Sequence, residues 1–257
     1  MPYKVLYLMT KELLKIVYNK NIAKDTFEMK LASKEICKEA SCGQFINVAL
    51  NDQSKLLKRP ISICGIGEDY LIITYKINGE GTKQLATYKE GETIEAIGAL
   101  GHGFPLVEGK KILVVGGGIG VPPLLELSKQ LSKKGNKIVS VLAFRDKENM
   151  IYEEEFKNYS DVVVTTDDGS YGFKGNAINY LDNNDVEFDY IYSCGPEILL
   201  KKLEEKYAGK KGYLSYEARM ACGVGLCHGC VKGEKRYCVC TDGPVFELGV
   251  IYNEFKS

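Results

Sequence analysis

The stretch KKILVVGGGIGVPP, Lys110 to Pro123, carries the decision about the fold. An unbroken apolar run, Ile112 to Val115, enters three consecutive glycines, and two prolines follow at 122 and 123. A run of that kind suits a strand buried on both faces. Glycines at its end let the backbone approach a ligand, and the first amides of a following helix can donate to a pyrophosphate. Pro122 and Pro123 fit the first helical positions, where a missing N–H costs nothing. Gly116, Gly117, Gly118, Ile119 and Gly120 are thus candidate cofactor-binding residues. The alternative is a tight strand–helix turn with no ligand. The spacing is not G-x-G-x-x-G, and no acidic residue about twenty positions on is well placed for a ribose.

Downstream the texture stays regular. PPLLELSKQLSKKG has helical spacing, with Leu124, Leu127 and Leu131 on one face and a glycine stop. KIVSVLAF, DVVVTTDDG and FDYIYSCGP read as further buried strands, and EILLKKLEEKY as another amphipathic helix. Alternating strands and helices imply a parallel sheet with helices on both faces. Ligands of such sheets sit beyond the carboxyl ends of the strands. SCGP, with Cys194, Gly195 and Pro196, should therefore line one crevice with the glycine turn, as the last strand of the sheet. TTDDGSYGFKG ends a third strand there, and its Asp168 suits a sugar hydroxyl, against the plainer reading of a solvated turn. Arg145 in AFRDKEN is placed either for a 2′-phosphate or as a surface arginine beside Asp146.

Upstream, to about Phe104, the chain is a series of short Val-, Ile-, Thr- and Tyr-rich runs punctuated by glycine. TFEMKLAS, QFINVAL, ISICGI, YLIITYKI and TIEAIGAL predict an antiparallel barrel or sandwich, with one short helix at Lys83–Tyr88. RPISICG offers Arg59 as a phosphate clamp and Ser62 as a partner for a flat ring, although an arginine entering a strand is the plainer reading. YKINGEGT supplies a second glycine turn with a hydroxyl.

The C-terminal part holds five of the nine cysteines, between Cys222 and Cys240. Cys222, Cys227 and Cys230 give C-x4-C-x2-C, followed by Cys238 and Cys240. That is the spacing of plant-type [2Fe–2S] ferredoxins, although the fourth cysteine arrives far sooner here. Structural zinc usually pairs its ligands as C-x2–4-C twice over, and zinc stays open as the alternative, with His228 as a further ligand or a plain loop side chain. Thiols in a reducing compartment stay reduced or bind metal, so disulfides are the weakest reading.

The totals fit this picture. In 257 residues there are 34 Lys+Arg and 34 Asp+Glu, a balance that calls for neither nucleic acid nor an anionic membrane. Lysines and a glutamate break the apolar N-terminal stretch, so neither a signal peptide nor a membrane span is expected, and the expected location is the cytoplasm. No acid–base pair or nucleophilic triad stands out.

Taken in order, RPISI, Y-K-x-x-G-E-G-T, GGGIG-x-PP, CGP, M-A-C-G-x-G-x-C-x-G-C and V-C-T-D-G-P-V-F resemble the ferredoxin reductase family, and within it the electron-transfer subunits of type B, NAD-linked dihydroorotate dehydrogenases. The match spans nearly the whole chain. It implies an FAD-binding barrel over residues 1–107, an NAD(H)-binding α/β domain over 108–211 and a [2Fe–2S] segment over 212–257. By motif it assigns Arg59, Pro60, Ile61, Ser62, Thr74, Tyr75, Lys76, Gly81 and Thr82 to FAD. The cluster ligands become Cys222, Cys227, Cys230 and Cys240, since the family's last ligand directly precedes D-G-P-V-F; Cys238 is then a spectator. His102 departs from the asparagine frequent in the family. The implied partner is a catalytic subunit with its own flavin, FMN, in two copies of each chain. Electrons would run from dihydroorotate through that flavin, the cluster and FAD to NAD+. The alternatives are a reductase subunit serving a hydrogenase or a glutamate synthase-like enzyme, and a zinc-stabilised interaction module.

Overall fold

Alternation builds the first half. In this computed structural model, which describes residues 9–52 and 54–252, six antiparallel strands close a barrel. They are β1 (Thr10–Ala23), β2 (Thr26–Ala32), β3 (Phe45–Val48), β4 (Arg59–Ile66), β5 (Tyr70–Lys76) and β6 (Thr93–Leu100), in the order β1-β2-β5-β4-β3-β6. Each strand sends every second side chain inward, as its pleat requires. Leu14 and Ile16, Met29 and Leu31, Ile46 and Val48, Ile61 and Ile63, Leu71 and Ile73, and Ile94 and Ala96 make one buried core. Two short helices, α1 (Ile36–Glu39) and α2 (Glu80–Leu85), sit among the barrel strands in sequence. The expected helix at Lys83–Tyr88 thus begins three residues earlier. β1 was not among the expected strands; of the N-terminal stretch, residues 1–8 lie outside the described residues.

The second half alternates strand and helix as its pattern predicts. β7 (Lys111–Gly117), α3 (Val121–Lys133), β8 (Lys137–Phe144), α4 (Glu153–Lys157), β9 (Asp161–Thr166), β10 (Phe173–Lys174), α5 (Ala177–Asn183), β11 (Tyr190–Cys194), α6 (Glu197–Lys206) and β12 (Lys211–Ser215) follow one another. Their sheet runs β10-β9-β8-β7-β11-β12 and is parallel throughout. On one face Val121, Leu124, Leu127 and Leu131 of α3 share a core with Cys42, Cys64 and Phe104 of the barrel half. On the other, Ala177, Leu181 and Leu203 cover Leu113, Val115 and Val141.

SCGP does not end the last strand. β12 adds parallel to β11, and a strand from the tail, β15 (Val245–Glu247), adds antiparallel to β12, pairing Ser215 with Val245. The tail itself holds β13 (Val231–Lys232), β14 (Tyr237–Cys238) and β15 (Val245–Glu247). Its small core joins Cys230, Cys238, Val239, Cys240 and Phe246 to Phe45 and Leu100 of the barrel and to Leu200 and Leu214 of the second unit. The tail is therefore wedged against both halves. Gly101, at φ +74°, lets the barrel's last strand meet it, and a Cβ there would lie 2.5 Å from Pro244. His102 acts through its backbone, its N–H donating to the Gly243 carbonyl at 2.7 Å. No helix among the described residues is long and apolar enough to cross a membrane.

Candidate functional site

The barrel brings RPIS and GEGT together. Arg59 opens β4, and its guanidinium lies over Gly81 of α2; a Cβ at Gly81 would fall 2.1 Å from Arg59 Nε. Glycine leaves room for that cation, which a larger side chain would push aside. Arg59 also donates to the Leu57 carbonyl. The Thr82 hydroxyl accepts from the Asn78 N–H at 2.9 Å and holds the turn closed. A guanidinium resting on a glycine turn is a chemically suitable cradle for a pyrophosphate. Alternation divides the rest. Ile61 points into the barrel core, whereas Pro60 and Ser62 share the outer face. On β5, Thr74 is buried with its hydroxyl 2.6 Å from the Tyr152 hydroxyl. Tyr75 is a core side chain, stacked on Phe27 at 5.8 Å and donating to Asn19 Oδ1 at 2.8 Å. Lys76 donates to Asn149 Oδ1 at 2.6 Å beside a cavity of about 80 Å³ that Gly118, Ile119 and Arg145 also line.

The glycine turn meets SCGP at close range. A Cβ on Gly120 would sit 2.4 Å from the Cys194 carbonyl, and one on Gly117 would sit 2.8 Å from Pro196. Gly116 pairs with Cys194 in the sheet. Gly118, at φ +52°, has nothing within 4 Å of its would-be Cβ, so its backbone faces open space. Gly195 and Pro196 also line a second cavity of about 340 Å³ with Glu217, Arg219 and Lys232. Asp168 is exposed at the same sheet edge, where its N–H reaches the Arg145 carbonyl at 3.4 Å. Its Oδ1 accepts from the Ser170 N–H and hydroxyl, which holds the carboxyl below its ordinary value. Locally that is a turn, at the edge where the crevice opens.

The cysteine loop is arranged around its sulfurs. Cys222 Sγ accepts from the N–H groups of Val224 and Cys227 at 3.4 Å each. Cys227 Sγ accepts from Gly229 at 3.4 Å, and Cys240 Sγ from Gly225 at 3.2 Å. Burial would raise the Cys222 thiol, but those amides and the Cys227 thiol bring it down to about 7. Cys230 and Cys240 lie sulfur to sulfur at 3.3 Å, and burial together with Cys230 pushes Cys240 up to about 12. Cys222 and Cys227 thus lie together, and Cys230 lies beside both Cys240 and Cys238. Among the described residues, no three His, Cys, Asp or Glu side chains are gathered as for a single metal ion. Amides aimed at cysteine sulfurs suit an iron–sulfur group, whose potential such hydrogen bonds set. Cys238 Sγ lies 3.3 Å from His228 Nδ1 and also adjoins the Cys230 thiol.

Two groups of residues escaped the sequence. Asn47, buried in β3, donates from Nδ2 to the Cys222 carbonyl at 3.2 Å and ties the cluster loop to the barrel. Glu28 of β2 accepts from Tyr18 at 2.8 Å and from Tyr152 at 2.6 Å, joining the barrel to the second unit. Their one visible signal was a polar residue at an otherwise strand-like position.

Comparison with known proteins decides the family. A family profile, the iron–sulfur cluster binding domain of dihydroorotate dehydrogenase B, matches residues 217–251. The dihydroorotate dehydrogenase B (NAD(+)) electron transfer subunit of Bacillus cereus (strain B4264) is 42% identical over 257 residues, covering 95% of this chain and 99% of its own. The chain belongs to the family of dihydroorotate dehydrogenase B electron transfer subunits. The like-named subunit of Bacillus anthracis (strain CDC 684 / NRRL 3495) matches at the same 42% and the same coverage. A solved NADH-dependent reduced ferredoxin-NADP oxidoreductase is 30% identical with a TM-score of 0.85, covering 93% of this chain and 90% of that one. A ferredoxin NADP+ reductase from Neisseria gonorrhoeae, solved with FAD and NADP, shares the fold at a TM-score of 0.67 and 17% identity, covering 82% and 95%. Barrel, parallel sheet and cysteine tail are thus the architecture of a reductase-type electron-transfer subunit, part of an NAD-linked oxidoreductase.

Proposed function

We propose that the chain passes electrons between a dihydroorotate dehydrogenase catalytic subunit and NAD+, using a [2Fe–2S] cluster and FAD, in the de novo synthesis of pyrimidines. The partner carries FMN and the pyrimidine chemistry, and the working assembly holds two copies of each chain in the cytoplasm. One observation carries the reading: the amide-lined cysteine loop is bonded to the barrel strand that pairs with RPIS, through Asn47 and Cys222. An iron–sulfur site and a flavin site so joined make a relay.

Arg59 and the Gly81–Thr82 turn would hold the flavin's pyrophosphate, with Pro60 and Ser62 on the face open to its ring. Gly116–Gly120 and Cys194–Pro196 would hold the nicotinamide nucleotide, with Asp168 at its sugar edge. Cys222, Cys227, Cys230 and Cys240 would ligate the irons. When bound, FAD exchanges a hydride with nicotinamide and single electrons with the cluster, chemistry that belongs to the cofactors. The chain's share is to seat them, exclude water and aim N–H groups at the sulfurs.

Purified alone after iron and flavin loading, the chain is expected to oxidise NADH with ferricyanide and to leave dihydroorotate untouched. Adding the catalytic subunit should restore dihydroorotate-dependent NAD+ reduction. Turnover of dihydroorotate by the chain alone would refute the reading. A second variant tests the flavin cradle. Gly81→Val drives a side chain into Arg59 and should weaken FAD binding roughly tenfold or more, the effect of losing a charge-assisted contact. Fluorescence titration of FAD checks it, and unchanged affinity would remove Arg59 and Gly81 from the site.

A further inference from the structure

Asn47 has more to do than tie down a loop. It is 1% exposed, and its amide nitrogen is committed to the Cys222 carbonyl. Because that partner can only accept, Nδ2 must face it, and the orientation of the side-chain amide is fixed. A Cβ on Gly223 would lie 2.7 Å from the same Nδ2, so the loop is fitted closely around it. The other end, Oδ1, is buried and has no hydrogen-bond partner. A buried acceptor left unpaired is costly and uncommon, and calls for a donor that completes it.

The strand register says where that donor can come from. Ile46 and Val48 fill the barrel, so Phe45 and Asn47 stand on its outer face. In the antiparallel pair with β4, Phe45 lies opposite Ser62 and Asn47 opposite Pro60. Residues opposite one another share a face. Asn47 therefore stands in the same row as the two RPIS residues turned outward, with the cluster loop on its other side.

We propose that Asn47 is a positioning residue for both cofactors at once. Its carbonyl oxygen accepts a hydrogen bond from an N–H or O–H donor of the flavin, while its amide fixes the cluster loop, so one side chain sets the flavin-to-cluster geometry. This rests on the FAD and [2Fe–2S] reading given above.

The test uses the full chain with cluster and flavin, comparing the parent with Asn47→Leu and Asn47→Asp. Leu removes donor and acceptor at similar volume; Asp keeps the acceptor and loses the amide that holds Cys222. The FAD dissociation constant is expected to rise about tenfold in Asn47→Leu, the cost of leaving a flavin donor unpaired. Asn47→Asp is expected to bind FAD within about threefold of the parent, while its reduced-cluster electron paramagnetic resonance signal changes or weakens. The flavin-free Leu variant loses the bond to the Cys222 carbonyl together with the unpaired oxygen, so its melting temperature should stay within about 5 °C of the parent's, and it serves as the folding control. A Leu variant that binds FAD as tightly as the parent would overturn the proposal, as would an Asp variant that binds as weakly as Leu. If Leu unfolds, Asn47→Ala takes its place, and FAD bound by it as tightly as by the parent would overturn the proposal. A parent chain that takes up neither FAD nor cluster defeats the underlying reading instead, an outcome separable from these.

Discussion

Cys240→Ser is expected to strip the chain of its iron–sulfur chromophore, while Cys238→Ser keeps it. The two cysteines are separated by one residue, yet their sulfurs meet different surroundings. Cys240 Sγ takes the Gly225 N–H at 3.2 Å and lies 3.3 Å from Cys230 Sγ, inside the loop that also holds Cys222 and Cys227. Cys238 sits in β14 opposite Val231, its N–H held by Asp242 Oδ2 at 2.7 Å and its sulfur placed between His228 and Cys230, with no backbone N–H aimed at it among the described residues. Outer partners of a metal ligand already change affinity about 10–100-fold. Loss of a ligand itself should therefore cut cluster occupancy more than tenfold in Cys240→Ser. Iron analysis and absorbance of anaerobically reconstituted protein measure it. Cys238→Ser should retain full iron with at most a small spectral change. The opposite pattern, iron lost with Cys238 and kept with Cys240, would move the fourth ligand by two residues.

Local pattern made most of the fold legible, and what it hid was non-local. Short Val-, Ile-, Thr- and Tyr-rich runs punctuated by glycine predicted the barrel strands from TFEMKLAS to TIEAIGAL, and apolar runs alternating with helical spacing predicted the parallel sheet. β1 escaped because the outward Leu13 and Val17 are as apolar as the inward Leu14 and Ile16, so the stretch shows no clean alternation. α2 was placed late because Gly79 and Gly81 look like turn residues. Gly79 does turn there, at φ +156°, but Gly81 is glycine because Arg59 occupies the space of its Cβ. The pairing of β12 with β15 joins segments about thirty residues apart across the cysteine loop, a contact that no local window contains. The same holds for the site. Spacing picked out the cysteines, whereas Asn47 bonds a residue 175 positions away, and only the folded chain brings those two together.

Removing Glu28 is expected to cost the fold more than a surface carboxylate should. Glu28 lies in β2 with its side chain 9% exposed, in an ion pair with Lys20 at 2.8 Å. Tyr18 donates to Oε1 at 2.8 Å and Tyr152 to Oε2 at 2.6 Å; the Thr74 hydroxyl and the buried Cys64 thiol adjoin them. Tyr152 belongs to the second unit and sits at φ +64°, so this network clasps the two halves beside β5. Burial alone would raise the carboxyl, but hydrogen bonds from Lys20, Tyr152 and Tyr18 outweigh it and hold Glu28 below its ordinary value. The sign follows from linkage. A carboxyl depressed in the folded state contributes stability that is fully present above about pH 4.3, the value of an unfolded glutamate, and that is lost as pH falls through the lower folded value. Glu28→Ala leaves two tyrosine hydroxyls without their acceptor and should destabilise the chain by about 3 kcal/mol at neutral pH, the scale of breaking a buried charged network. Lys20 is mostly exposed and adds little to that figure. Glu28→Gln keeps an acceptor and should recover part of the loss, with a flatter dependence of stability on pH below about 4.3. Urea unfolding of both variants at neutral and acid pH measures this. A Glu28→Ala protein as stable as its parent, or a parent whose acid dependence Glu28→Gln leaves unchanged, would show that the clasp between the halves lies elsewhere.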